Sequence, residues 1–426
     1  MARPVIPLRS SPAVWGGVLI VVAMFLGYLH HLGQDLSQPT WLTYITVASD
    51  GFNIGLPLAA GIAAWVSYRF RVSTFGRSFH VRRTLVRQFW VQTWVIFLSV
   101  CVGFGVIVLY QVFQRLPAPQ LTGVWVLVAF FAMTATAVSF GYGVGLFLPA
   151  PIAIPVSVFA LFEWITYPEL DDSHLYVHNL GGYSLSTCCS TVAYVPDPRA
   201  VFAPVIIGAA VVVSMLALKI KGLRYYVLAP AVGLVVVSVV VALTVIHGTQ
   251  SQGQIARSSL ATVCSGTSPR ICLFPELRHF GTDHVLEQGW SHAQRLGVSL
   301  PELMISSAQT PSFTPGVVHV NVPAGSSPTQ TIQLVAGAIY ASGTCHWPVP
   351  QKNHPISPEV RTQYALGLVL GGNPDDILPA TTTGPISAPD TPVSPQAIRR
   401  EIDISNDQQA AVVVNQWLYS QKGCSE

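Results

Sequence analysis

The chain has 426 residues, 51% of them hydrophobic and only 10% charged, with a formal net charge of +3. A soluble domain carries about a quarter charged residues, so this composition excludes a single soluble globular body and points to a bilayer. The apolar excess lies in the first 250 residues.

A transmembrane helix needs roughly 18 or more residues with few or no charges. Seven windows qualify: 13–33, 53–69, 89–113, 122–148, 151–168, 200–218 and 225–246. Arg3 and Arg9 precede the first window, and no small-residue cleavage site follows it. That pattern predicts a retained helix rather than a signal peptide. Rare lysine beside common arginine hints at a GC-rich bacterial source.

Between the second and third windows runs SYRFRVSTFGRSFHVRRTLVRQFW, Ser67–Trp90, with six arginines and no acid. An arginine at the bilayer centre costs about 2.5–3.5 kcal/mol on insertion scales, and six would cost on the order of 15–20 kcal/mol. The stretch is therefore a loop, and short arginine-rich loops stay in the cytoplasm. Phe75, Phe79, Val86 and Trp90 fall near one side of a helix, with Arg71, Arg82 and Arg83 mostly elsewhere. Such a basic amphipathic helix either anchors on anionic lipid or docks a cytoplasmic partner.

With 69–88 inside, Arg3 and Arg9 are inside, as are Lys219, Lys221 and Arg224. The loops assigned outside hold Asp35 and Asp50, then Arg115, then Glu169, Asp171, Asp172, Asp197 and Arg199. A seventh crossing places everything after about Gly248 outside. In the fourth window, Gly141 and Gly145 stand four apart, a spacing that permits close helix contact and is read as internal packing rather than a dimer seam. Glu163 in the fifth window is either an intramembrane functional acid or a hydrated group beside an interfacial aromatic belt.

Cys101 lies within the third window, whereas Cys188, Cys189, Cys264, Cys272, Cys345 and Cys424 fall on segments assigned outside. Six cysteines on an oxidising side read as a disulfide framework, scattered free thiols being the alternative. Cys264 and Cys272 flank a turn-like stretch and form the first expected bridge; the other four allow three connectivities.

Residues 249–426 carry a net charge of −3, against +6 for 1–248. Val317–Val322 reads as a strand. Thr282–Gly297 reads as a helix capped by Thr282 or Asp283. Further helices are expected at 331–342, 358–370 and 405–423, the last capped by Ser405 or Asn406, with an irregular loop at 373–395. About 180 residues suffice for one α+β core. The expected fold is thus an all-α bundle of seven transmembrane helices, amino terminus in and carboxy terminus out, over 1–248, then an extracytoplasmic α+β domain over 249–426.

His279, His284 and His292 cluster near Asp283 and Glu287, but the His-Glu-x-x-His zinc pattern and a Gly-x-Ser-x-Gly elbow do not occur. These histidines, and His346 beside Cys345, read as ordinary solvated residues. No catalytic set, metal or cofactor is expected. Without a phosphate loop the chain cannot itself be an ATPase, and the basic stretch is too short, and too close to a membrane, for nucleic acid.

The order of elements resembles the six-helix permease of ATP-binding-cassette exporters. It is carried by the first helix pair, the basic loop RFRVSTFGRSFHVRRTLVRQ, four more helices, and the long outer connection Pro168–Arg199 between fifth and sixth helices, over about residues 1–221. The resemblance implies a separate cytoplasmic ATPase docking at 69–88 through Arg71, Phe75, Phe79, Arg82, Arg83 and Arg87. It also implies a homodimer or heterodimer of permeases, and an outer connection that folds back as short helices. The seventh helix and the large carboxy-terminal domain depart from the simple pattern. The expected function is the permease subunit of such an exporter in a bacterial plasma membrane. The alternatives are a non-transporting envelope scaffold or sensor, and a membrane-tethered enzyme.

Overall fold

The computed structural model describes residues 12–31, 39–72, 85–118, 123–166, 175–186, 188–189, 191–218, 224–267, 269–307, 316–342, 358–373, 404 and 406–422. By backbone contacts the chain divides into two units. Residues up to Cys189 join Val195–Ile255, while Ser190–Tyr194 joins Ala256 onward. The second unit thus takes a short segment from the connection between two helices of the first, where a single boundary near residue 248 was expected.

The first unit is a bundle of α1 (Pro12–His31), α2 (Trp41–Ala48), α3 (Phe52–Val72), α4 (Leu85–Gln114), α5 (Val126–Phe147), α6 (Ala150–Thr166), α7 (Pro198–Leu218) and α8 (Arg224–Ile246). Six of its helical stretches are long and apolar enough to cross a membrane. Each of the seven windows expected from sequence overlaps a helix of the bundle, and six of those helices lie in stretches of crossing length. The fifth, α6, has 17 residues, a rise of about 25 Å against a hydrocarbon core of roughly 30 Å.

A second correction concerns the stretch before the second window. The Thr40 side chain accepts the Thr43 backbone N–H at 3.2 Å and caps α2. A 3₁₀ turn at Ser49–Gly51 then joins α2 to α3, giving one apolar stretch from Trp41 to Val72. Asp50 therefore lies inside a helical span, not in an outer loop.

The Trp41–Val72 stretch holds the bundle's centre, with 78% of its most apolar window buried against 22% for the last span, Tyr226–Ile246. Small residues set its contact with α5. A Cβ on Gly141 would overlap the Ala60 carbonyl, and one on Gly145 the Ala64 carbonyl. The four-residue spacing is matched on both helices, so their backbones meet directly, and the two glycines serve internal packing as expected. Phe52, Phe104 and Phe130 close the neighbouring layer, with ring centroids 5.4–5.9 Å apart.

The connection between α6 and α7 folds back onto the bundle. It forms 3₁₀ turns at Leu175–Asn179 and Tyr183–Leu185, and Leu185, Cys188 and Cys189 join the hydrophobic core of the helices. Asn179, fully buried, holds it in place. Its Nδ2 donates to Thr249 Oγ1 and to the Gln250 carbonyl, each at 2.8 Å, and its Oδ1 accepts from Ser184 Oγ at 2.6 Å.

A two-stranded pair, β1 (Tyr194–Pro196) with β2 (Gln254–Ala256), lies where the chain passes between the units. The second unit then builds a mixed four-stranded sheet from β3 (Val263–Ser265), β4 (Arg270–Leu273), β5 (Leu303–Ser306) and β6 (Val317–Val320), in that order. β3 pairs antiparallel to β4, and the other two pairings are parallel. Met304 and Ser306, and beside them Val318 and Val320, are buried at every second position, as the strand period requires. The same core takes in α9 (Pro275–His279), α10 (Thr282–Arg295), α11 (Pro328–Ala341), α12 (Pro358–Val369) and α13 (Asp407–Lys422).

The expected strand and helices are present here, with differences at their ends. α10 starts after Gly281, whose left-handed φ of 71° takes the cap position, so neither Thr282 nor Asp283 caps it. α11 begins with a Ser327–Gln330 capping box. Asn406 Oδ1 accepts the Gln409 N–H at 2.9 Å and caps α13.

Candidate functional site

The acid in the broken span is the most unusual group in the bundle. Asp50 is 9% exposed and sits in the 3₁₀ turn two residues before α3. Such a turn within an otherwise continuous helix often marks a functional hinge. An ionisable side chain inside an apolar span is by default a functional-site candidate.

The fold-back connection packs Tyr183–Leu185 against Ser49–Gly51, and the following Ser186 turns its hydroxyl toward the carboxyl. Ser186 Oγ has no regular hydrogen-bond partner of its own. Tyr28 of α1 lies within electrostatic reach of Asp50, and also of Tyr44 of α2 and Tyr110 of α4. The Tyr28 and Tyr110 rings meet edge-on with centroids 6.1 Å apart. Tyr28 is 1% exposed, yet its hydroxyl has no partner, and neither has Gln111 Oε1. Tyr44 donates to the Arg115 carbonyl at 2.7 Å.

Buried polar atoms are almost always hydrogen-bonded. Tyr28 thus leaves a partnerless hydroxyl within reach of the buried carboxyl, and Ser186 turns its own toward it. Among the described residues, none forms a salt bridge with Asp50.

Three positions after Ser186 comes Cys189, whose φ of 64° is the only left-handed value outside glycine among the described residues. The sulfurs of Cys188 and Cys189 lie at bonding distance, and the Cys189 N–H donates to Gln254 Oε1 at 2.8 Å. Of the connectivities left open by sequence, the adjacent pairing is the one present. Cys345 and Cys424 lie outside the described residues. Cys264 and Cys272 face each other across the β3–β4 ladder, also at bonding distance. Cys101 is an exposed free thiol.

The residues expected to dock a partner are divided. Phe75, Phe79, Arg82 and Arg83 lie outside the described residues. Arg87 is exposed on the first turn of α4. Arg71 has a role within the chain: its guanidinium donates to the Leu146 carbonyl at 2.7 Å and the Leu148 carbonyl at 3.3 Å. It closes the carboxy-terminal end of α5, where a cation is favoured. Glu163 is half-buried on the last turn of α6 and is not among the groups that act on Asp50.

In the second unit, His284 and His279 are exposed as expected. His292 is more engaged than a solvated histidine: Nδ1 lies 3.1 Å from the Val369 carbonyl and Nε2 lies 3.4 Å from Asp407. It thereby links α10, α12 and α13. Among the described residues, no three His, Cys, Asp or Glu side chains group so as to hold a metal.

Sequence reasoning missed Asp50 because it assigned every acid between apolar windows to a loop. The signal was present: Trp41–Ala48 is itself apolar and follows a capping threonine. No protein-family model matches this sequence, and neither a curated protein nor a solved structure matches it.

Proposed function

We propose that the chain is the permease subunit of an ATP-driven exporter in a bacterial plasma membrane, with its arginine-rich 69–88 segment inside and its carboxy-terminal unit outside. The observation that carries this reading is the folded-back connection between α6 and α7. Its second 3₁₀ turn, Tyr183–Leu185, brings Leu185 into the core of the helices and lies against the break at Ser49–Gly51. A passive membrane anchor has no need of a plug over a broken helix; a permease that opens and closes there does.

In this reading a separate cytoplasmic ATPase contacts the basic segment, and two permease chains form the working assembly. ATP-driven closure of the ATPases moves the segment that continues α3. Arg71, held against the end of α5, passes that movement to the α3–α5 pair through the Gly141 and Gly145 contacts. The carboxy-terminal unit receives cargo or binds an envelope partner.

Affinity purification of the tagged chain from its own host tests the proposal. A phosphate-loop ATPase should co-purify, and Arg82→Glu with Arg83→Glu should release it. Recovery of the same ATPase with the double variant would remove the docking role. Recovery of no ATPase at all would favour an envelope scaffold or sensor.

A further inference from the structure

We infer that Asp50 is a proton-exchange site of the helical unit, reached and held by the oxygen groups that surround it. The inference does not rest on the exporter reading; it follows from charge and hydrogen-bond accounting at one position.

The carboxyl is buried in an apolar span and, among the described residues, has no cationic partner. Two groups act on it: Tyr28 of α1 lies within its electrostatic reach, and Ser186 of the fold-back connection turns its hydroxyl toward it. Neither carries a positive charge. Arg115 acts on Tyr44 and is not among the groups that act on Asp50. A buried carboxylate without a counter-charge is costly, so the resting group must hold a proton or a cation. The partnerless hydroxyl of Tyr28 and the Ser186 hydroxyl facing the carboxyl can each donate or accept, which suits a group that changes between acid and anion.

The geometry also provides for the charged form. Ser186 of the fold-back connection can turn its O–H toward the carboxylate. On deprotonation the carboxyl O–H bond breaks, the proton passes to water, and the electron pair stays on the carboxylate. Both states thus have support, at a 3₁₀ hinge that can respond to the change.

Infrared difference spectroscopy of the full chain in lipid nanodiscs, between acid and alkaline buffer, reads this directly. Wild type should lose a protonated-carboxyl band on alkalinisation, and Asp50→Asn should lack that band at every pH. Asp50→Glu should keep a band at a shifted frequency, and Ser186→Ala should move the midpoint of the titration. An Asp50→Asn spectrum identical to wild type would overturn the inference. So would a wild-type band that disappears on adding sodium chloride at fixed pH, because the site would then take a cation. If Asp50→Asn does not fold, an Asp50→Glu titration indistinguishable from wild type in both band position and midpoint overturns it equally.

Discussion

The Asn179 side-chain amide donates to the Thr249 hydroxyl at 2.8 Å, across 70 residues of sequence. That bond, with those to Gln250 and Ser184, pins the fold-back connection to the chain beyond α8. Asn179→Ala would leave buried donors and acceptors unmatched, at about 1–3 kcal/mol each. The expected outcome is a drop of several degrees in the Tm of the detergent-purified chain. Asn179→Asp should be no better, since it removes the donor that serves Thr249 and Gln250.

The glycine contacts of α5 predict a sharp positional contrast. Gly141→Leu drives a side chain into the Ala60 backbone, where overpacking costs at least about 1–3 kcal/mol. Gly143→Ala, on the same helix, meets only Met215 Cγ at 3.9 Å. Thermal melts of the two variants should separate clearly, the first strongly destabilised and the second close to wild type.

In the second unit, Arg257 and Glu276 form an ion pair with side chains only 8% and 5% exposed. Arg257 also donates to the Val192 carbonyl at 2.9 Å and lies over the Phe274 ring. Arg257→Met should cost about 3–5 kcal/mol by stranding a buried carboxylate. Combining it with Glu276→Gln should recover a large part of that loss, measured as a double-mutant cycle of denaturant midpoints. Additive losses would show that the pair is not coupled.

Orientation can be read from the β3–β4 disulfide. Cys264 is exposed and its partner Cys272 is buried. After mild reduction of intact cells, a membrane-impermeant thiol reagent should label Cys264 if the second unit faces outward. Labelling that appears only after lysis would reverse the proposed topology.

Arg71 supplies a prediction at the other end of the bundle. Arg71→Ala frees the Leu146 and Leu148 carbonyls, and the expected loss is about 1–2 kcal/mol of stability. Arg87→Ala, exposed on α4, should leave the melt unchanged.

Length and hydropathy made the helices legible, because apolar runs of this extent have few other fates. The Gly141–Gly145 contact and the Cys264–Cys272 bridge were also readable, being local patterns with one dominant physical use. Asp50 was not, since counting charges between windows cannot distinguish a loop from a 3₁₀ turn inside a span. The Cys188–Cys189 pair was hidden because spacing rules look for cysteines that close a loop. The allegiance of Ser190–Tyr194 to the second unit is tertiary: Val192 and Ala193 are buried among residues more than sixty positions away, which no local pattern encodes.

The sparse burial of the last span has its own consequence. α8 packs mainly on α7, through contacts such as Ser214 Oγ to the Ala231 carbonyl at 3.0 Å, and most of its valines face outward. Solvation by acyl chains, more than jigsaw fit, keeps it upright. A shuffled sequence of equal greasiness should therefore stand in for it, whereas the same shuffle applied to α3 would dismantle the molecule.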